Sequence, residues 1–181
     1  MSLDQLIHDC SQNDTKAQEQ LYKLLSQKLF SVCLKYSRNY AEAEDNLQDG
    51  FLIIFKKISS FNFKGSFEGW AKRVMINNVL QQYRGSTVFE IVNENIPDEE
   101  EVEIDDENVT LEFLMKIIQE LPDRYRLVFN LYVMDGYSHK EIAAMLEITT
   151  GTTKSNLARA KMILKEKIEA QAGNGNFTVA K

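Results

Sequence analysis

Two short helices and a tight turn are written into Tyr137-Ser-His-Lys-Glu-Ile-Ala-Ala-Met-Leu-Glu-Ile-Thr-Thr-Gly-Thr-Thr-Lys-Ser-Asn-Leu-Ala-Arg-Ala-Lys161, and no other stretch of the chain restricts its fold as much. Ser138 can cap the first helix, and Glu141, three residues on, completes a capping box. Ile142, Ala143 and Leu146 share one helical face, Ile148 can plug the turn, and Leu157, Ala160 and Leu164 give the second helix its inward face. Thr152, Lys154, Ser155, Arg159 and Lys161 are left facing out. Hydroxyls, amines and a guanidinium are the groups that bond to phosphates and base edges in a major groove, so the pattern predicts a helix-turn-helix. The plain alternative is a helical hairpin with a solvated basic face. Small residues at the expected crossing (Ala143, Ala144, Ala158, Ala160) and the Ser/Thr-rich start of the second helix favour the DNA-binding reading. Glu147 falls where such a turn needs positive φ, a conformation that costs a non-glycine residue about 1 kcal/mol.

The rest of the chain also reads as helix, which predicts an all-α fold. Thr15 and Gln18 suggest a capping box opening a long helix with Leu21, Leu24, Leu25, Leu29, Val32, Cys33, Tyr36 and Tyr40 on one face. A second helix points Ala43, Leu47, Phe51, Ile54, Phe55 and Ile58 inward. An aromatic, glycine-broken loop covers residues 60–65, and Ser66 can cap a third helix running to about Arg84. Further on, Leu111, Leu114, Met115, Ile118 and Leu121 predict a helix stopped by Pro122, and residues 124–134 predict another, ended by Asp135-Gly136.

A net charge of −6 is the wrong sign for a partner of DNA, but the charge is unevenly spread. Residues 1–85 carry 11 Lys/Arg against 9 Asp/Glu, residues 86–123 carry 1 against 13, and residues 124–181 carry 9 against 5. The acidity sits in one self-repelling tract that cannot bury enough apolar surface to fold alone. Four segments follow: a helical domain at 1–88, an acidic linker at 89–110, a helix-turn-helix domain at 111–171 and a disordered tail at 172–181. No run of about 18 apolar residues spans a membrane, and residues 1–5 do not begin a secretory signal, so a cytoplasmic protein is expected. Cys10 and Cys33 fit buried thiols in a reducing compartment.

Two further constellations carry chemistry. In the aromatic loop and third helix, Phe61, Asn62, Phe63 and Lys64 precede Phe67 and Trp70, and Lys72, Arg73, Asn77, Gln81 and Arg84 recur on the side away from Trp70, Val74 and Leu80. Rings beside a cationic, amide-bearing stripe suit single-stranded nucleic acid. Core packing is the competing reading for these rings, and the stronger one for Phe67 and Trp70. On the second helix, Asp45, Gln48, Asp49 and Leu52 share an outer face that could dock on a basic partner helix. Catalysis finds little support. His8 and His139 lack neighbours at metal-ligand spacing, and His139 reads as a solvated first-turn residue. Gly151-Thr-Thr-Lys-Ser155 lacks the paired glycine and preceding strand of a phosphate loop. No catalytic residue, metal or cofactor is expected.

From about Asp4 to Ile168 the chain resembles the extracytoplasmic-function sigma factors, small two-domain specificity subunits of bacterial RNA polymerase. The resemblance rests on Asp14-x-x-Ala17, Ala43-Glu-Asp-Asn-Leu-Gln-Asp-Gly-Phe51, Phe63-Lys-Gly-Ser-Phe-Glu-Gly-Trp-Ala-Lys-Arg73 with Asn77, Leu121-Pro-x-x-Tyr-Arg126, and the helix-turn-helix. It implies that Asp45, Gln48, Asp49 and Leu52 bind core RNA polymerase. It implies that Phe61, Asn62, Phe63, Lys64, Arg73 and Asn77 melt and capture the single-stranded −10 element. Thr152, Thr153, Lys154, Ser155, Ala158 and Arg159 would read the duplex −35 element. A monomer when free, regulated by an anti-sigma factor and not inserted in a membrane, completes the expectation, with the acidic tract at 97–107 imitating RNA's charge inside the polymerase. A stand-alone regulator binding duplex DNA as a dimer is the rival within DNA binding, and a helical interaction protein the rival outside it.

Overall fold

A computed structural model describes residues 2–85, 87–89 and 109–175. Most of the predicted acidic linker and the residues after 175 lie outside them. Every regular element among the described residues is helical: α1 Leu3–Ser11, α2 Thr15–Tyr36, α3 Tyr40–Lys57, α4 Phe67–Gln81, α5 Leu111–Gln119, α6 Asp123–Phe129, α7 His139–Leu146 and α8 Thr150–Gly175. Short 3-10 turns cover Ile58–Ser60 and Thr87–Phe89, and a π-turn extends α6 over Asn130–Met134. No helix among these residues is long and apolar enough to cross a membrane.

Side-chain caps start most of the helices; α6, which follows Pro122, begins without one. Ser2, Asp14, Asn39, Ser66, Thr110 and Ser138 each accept a bond from the backbone N–H three residues on, satisfying an amide that the helix leaves orphaned. The capping box expected at Thr15 is therefore corrected: Asp14 caps α2, through Oδ1 to the Ala17 N–H at 2.9 Å. The expected box at Ser138 and Glu141 is present in full.

The chain divides into two compact units, Met1–Gln82 and Tyr83–Lys181. In the first, α2, α3 and α4 pack against one another and α1 lies on α2. Its core holds Leu21, Leu25, Leu29, Val32, Cys33, Tyr36, Ala43, Phe51, Ile54, Met75, Ile76 and Leu80. Leu24 and Tyr40, predicted inward, are exposed. Gly50 lets α3 approach α4: a Cβ there would stand 2.1 Å from the Sδ of buried Met75. A polar chain crosses the same region, Asn78 Nδ2 donating to the Asn46 carbonyl and Asn46 Nδ2 to the buried Ser37 hydroxyl. The third helix ends at Gln81 rather than near Arg84. Arg84 belongs to the second unit, where its Nε donates to the Met145 carbonyl at the end of α7.

In the second unit α5, α6 and α7 pack on the long α8, around Leu121, Leu127, Val128, Leu131, Ile142, Leu146, Leu157, Ala160, Leu164 and Ile168. The predicted inward face of α5 is rotated. Ile117 is buried, while Leu111 and Met115 are exposed. The polar residues of α5, Glu112, Lys116 and Gln119, share one side. The apolar arc opposite them is wider than the contact with α8, which covers the Ile117 edge and leaves the Leu111 and Met115 edge exposed. Arg126 is buried in the corner between α5 and α6, its Nη1 donating to the Leu121 carbonyl at 3.2 Å and its Nη2 paired with Asp123 at 2.7 Å. The expected second-domain end at residue 171 falls within α8, which continues to Gly175.

Candidate nucleic-acid interface

The turn before α8 uses a glycine-type conformation without a glycine. Glu147 has φ 59° and ψ 44°, as the sequence predicted for that position. Its N–H and that of Ile148 both return to the Ala143 carbonyl, the bonding of a Schellman-type helix end. Thr149 then caps α8, accepting from the Thr152 N–H at 3.1 Å. The strained turn thus ends one helix and starts the next within a few residues.

On α8, Thr153, Leu157, Ala160, Leu164 and Ile168 form the inward stripe at spacings of three and four. Thr153 was expected to face DNA, and it is corrected here: it is 0% exposed. Its hydroxyl donates to the Thr150 carbonyl at 2.8 Å and lies 2.9 Å from His139 Nδ1. Lys154 and Lys161 are exposed, and Thr152, Ser155, Ala158 and Arg159 are half-buried along the outward side. Ser155 Oγ and Asn156 Nδ2 both donate to the Thr152 carbonyl. Of the small residues expected at the crossing only Ala160 is fully enclosed, and Ala144 is exposed. His139, expected to be solvated, is half-buried and stacks on Tyr132 with ring centroids 4.5 Å apart.

The aromatic loop of the first unit is layered. Phe61, expected to contact DNA, is instead buried at 8% exposure, with its ring centroid 5.2 Å from Phe67 and 5.7 Å from Trp70. The apolar ring is held by its neighbours, which removes it from the contact surface. Phe63 lies over it, centroids 4.9 Å apart, and is 56% exposed at φ 57°. Asn62 Oδ1 accepts the Lys64 N–H at 3.1 Å, a side-chain turn that presents Phe63 outward, and Gly65 at φ 100° closes the bend.

On α4 the sequence reading had the stripe partly wrong. Trp70, Arg73 and Asn77 stand at i, i+3 and i+7 and share a side, so Arg73 and Asn77 lie beside Trp70 and not opposite it. Lys72 points elsewhere. Arg73 is exposed and Trp70 and Asn77 are half-buried on this side of α4, and the buried Phe61 ring packs against both Trp70 and the exposed Phe63.

Asp45, Gln48, Asp49 and Leu52 are all exposed on the outer side of α3, Leu52 at 69%. Gln48 also borders a groove of about 300 Å³ between α2 and α3, where Tyr22, Phe30, Tyr40 and Glu44 add two further exposed rings and a carboxylate. Tyr40 was expected on the inward face of the long helix, and nothing in the sequence pattern sets Tyr22, Phe30 or Glu44 apart until the packing is known.

Comparison with known proteins places both units. Residues 21–87 match the family model for sigma-70 region 2, and residues 112–164 that for sigma-70 region 4. The chain is 25% identical to the ECF RNA polymerase sigma factor SigW of Bacillus subtilis, across 93% of its own length and 97% of the relative's. It is 27% identical to the ECF RNA polymerase sigma-E factor of Escherichia coli, across 91% and 93%. Among solved structures, the sigma factor RpoE in complex with the anti-sigma factor NepR from Bartonella quintana covers 83% of the chain and 96% of its own, with a TM-score of 0.53 at 23% identity, a likeness of fold.

Proposed function

The chain belongs to the extracytoplasmic-function sigma factors, the promoter-recognition subunits of bacterial RNA polymerase, and we propose a division of labour among three of its surfaces. The outward side of α8, with Thr152, Lys154, Ser155, Ala158 and Arg159, reads the duplex −35 element. The face made by Phe63, Lys64, Trp70, Arg73 and Asn77, with Asn62 shaping the loop, takes up the −10 strand once it is melted. The stripe of Asp45, Gln48, Asp49 and Leu52 docks on core polymerase. The observation that carries the reading is the exposed Phe63 ring over buried Phe61, which also packs on Trp70, the residue that shares its side of α4 with Arg73 and Asn77. A dimeric duplex-binding regulator has no use for that face, and the region 2 match accounts for the helices that such a regulator would need as a ligand or dimerisation domain.

Binding does the work, with no covalent step. Unstacking a base costs a few kcal/mol, and stacking on a ring returns about 1–3 kcal/mol, with edge hydrogen bonds supplying more. Neither unit has a large cationic excess, so promoter affinity depends on engaging both elements while bound to the polymerase, where linkage raises the effective concentration of the second contact. A cytoplasmic site of action, an anti-sigma partner and an acidic linker at 89–110 between the two family matches belong to this reading.

In vitro transcription with core polymerase tests it. Promoter-dependent initiation is expected on adding the chain, and its absence on every genomic template would overturn the reading. Lys154→Ala should weaken −35 binding and leave core binding intact, whereas Asp45→Lys with Asp49→Lys should do the reverse. Phe63→Ala should reduce permanganate reactivity in the bubble more than duplex affinity. Equal loss of core affinity in Lys154→Ala would refute the assignment of surfaces.

A further inference from the structure

The start of α8 is tied to α7 by a bond whose proton can be placed. Thr153 Oγ1 lies 2.8 Å from the Thr150 carbonyl oxygen and 2.9 Å from His139 Nδ1. A carbonyl only accepts, and a hydroxyl carries a single proton. Both contacts are satisfied together only if Thr153 donates to Thr150 and accepts from a protonated Nδ1. His139 is the first residue of α7, and its ring is held on the other side by the Tyr132 ring, 24° from parallel. Tyr132, His139, Thr153 and Thr150 thus form a continuous line from the π-turn through α7 into the first turn of α8.

Thr153 sits between Thr152 and Lys154, two of the side chains assigned to the −35 element. A helix packed only by Leu157, Ala160 and Leu164 can roll by some degrees, since apolar contact is not directional. A hydrogen bond to a wholly buried hydroxyl removes that freedom. We infer that His139 is a positioning residue for the recognition helix: by donating Nδ1–H to Thr153 it fixes the roll of α8 and hence which side chains meet the base edges. The inference rests on the reading of α8 as the −35 reader. The residue touches no DNA itself. Its effect should appear as lost affinity and weakened sequence preference.

Two measurements on the full chain test it. Since the chain has two histidines, His8→Gln assigns the remaining ring in a long-range ¹H–¹⁵N spectrum. In the neutral ring, Nδ1 should be the protonated nitrogen, and Thr153→Val should release that tautomer; a ring protonated at Nε2 in the unaltered chain would overturn the inference. The second uses holoenzyme and a duplex carrying the −35 sequence that the unaltered holoenzyme selects from a randomised pool. His139→Phe keeps the stack and removes the donor, and Thr153→Val removes the acceptor. Each should weaken binding about fivefold, the worth of one hydrogen bond, and the double variant should lose less than the product, since two apolar partners leave no group unsatisfied. His139→Asn, which returns an N–H near the Nδ1 position, should restore most of the affinity. Single variants that bind normally while Lys154→Ala is impaired would refute the role of His139 alone. Normal binding by Lys154→Ala as well would refute the −35 reading beneath it.

Discussion

Glu147→Gly should make the helix-turn-helix unit more stable, and the size of the gain follows from one dihedral angle. Glu147 is exposed and held at φ 59°. A left-handed conformation costs a residue with a Cβ about 1–2 kcal/mol, which glycine avoids. Glycine also widens the unfolded ensemble, returning about 0.4–1 kcal/mol of that gain. The net stabilisation is then about 0.5–1 kcal/mol. Loss of the carboxylate adds little, because Glu147 stands between the C-terminus of α7, which disfavours an anion, and the N-terminus of α8, which favours one. Glu147→Ala is the control, removing the same charge while keeping the strain. The single tryptophan, Trp70, lies in the first unit, so its fluorescence reports that unit alone in a urea titration, while far-UV ellipticity follows both. For a slope of about 1.5 kcal/mol/M, the second unit's midpoint should rise by about 0.3–0.7 M in Glu147→Gly, with the Trp70 transition unmoved. A glycine variant no more stable than the alanine variant would refute the strain argument.

Three other perturbations have expected outcomes. Asp123→Ala should cost about 3 kcal/mol by leaving the buried Arg126 guanidinium without its counter-charge, and Arg126→Met should cost less; both are read from the urea midpoint of the second unit. Gly50→Val should destabilise the first unit by about 2–3 kcal/mol through its clash with Met75, measured by Trp70 fluorescence, and Met75→Ala should cost less in a Gly50→Ala background than in the unaltered chain. Burial pushes the Cys10 and Cys33 thiols up to about 11 and about 12 from an ordinary value of 9, so iodoacetamide should label them only on unfolding. The folded state binds these protons more tightly than the unfolded one, so their contribution to stability is complete below pH 9 and falls as pH rises from 9 towards 11 and 12.

Much of the architecture was legible because helices announce themselves locally. Apolar residues at three- and four-residue spacing marked α2, α3, α7 and α8, and Ser66 and Ser138 started helices as expected. Glu147 could be assigned its strained conformation from its place between two amphipathic stripes. The misplacements came where local signals were ambiguous. Asp14 and Thr15 are both capping residue types, and local sequence does not distinguish them; the structure has Asp14 in the capping position. In α5, Leu111, Leu114, Met115, Ile117 and Ile118 form one broad apolar arc opposite Glu112, Lys116 and Gln119, and which edge of that arc is buried depends on α8.

The site errors share a cause of another kind. Sequence spacing says which side chains share a face but not the angle at which that face meets its neighbour. At Thr153 this angle separates a base contact from a buried hydroxyl, and Thr152 and Lys154 are only one residue away on either side. At Phe61 and Phe63 the residues differ by two positions and have the same chemistry, yet the 8% exposure of one and the 56% of the other follow from a single turn at Asn62. Trp70 joins Arg73 and Asn77 because α4 is enclosed on most of its other sides, which leaves them one solvent-facing strip. Burial by neighbours, and not residue type, thus decides which of these side chains are exposed. Phe61 and Thr153 are each buried next to exposed groups that the proposed function assigns to DNA, Phe63 in one unit and Lys154 of α8 in the other. Substituting either buried residue should impair binding through loss of position, with stability falling alongside, whereas substituting Phe63 or Lys154 should impair binding and leave stability unchanged.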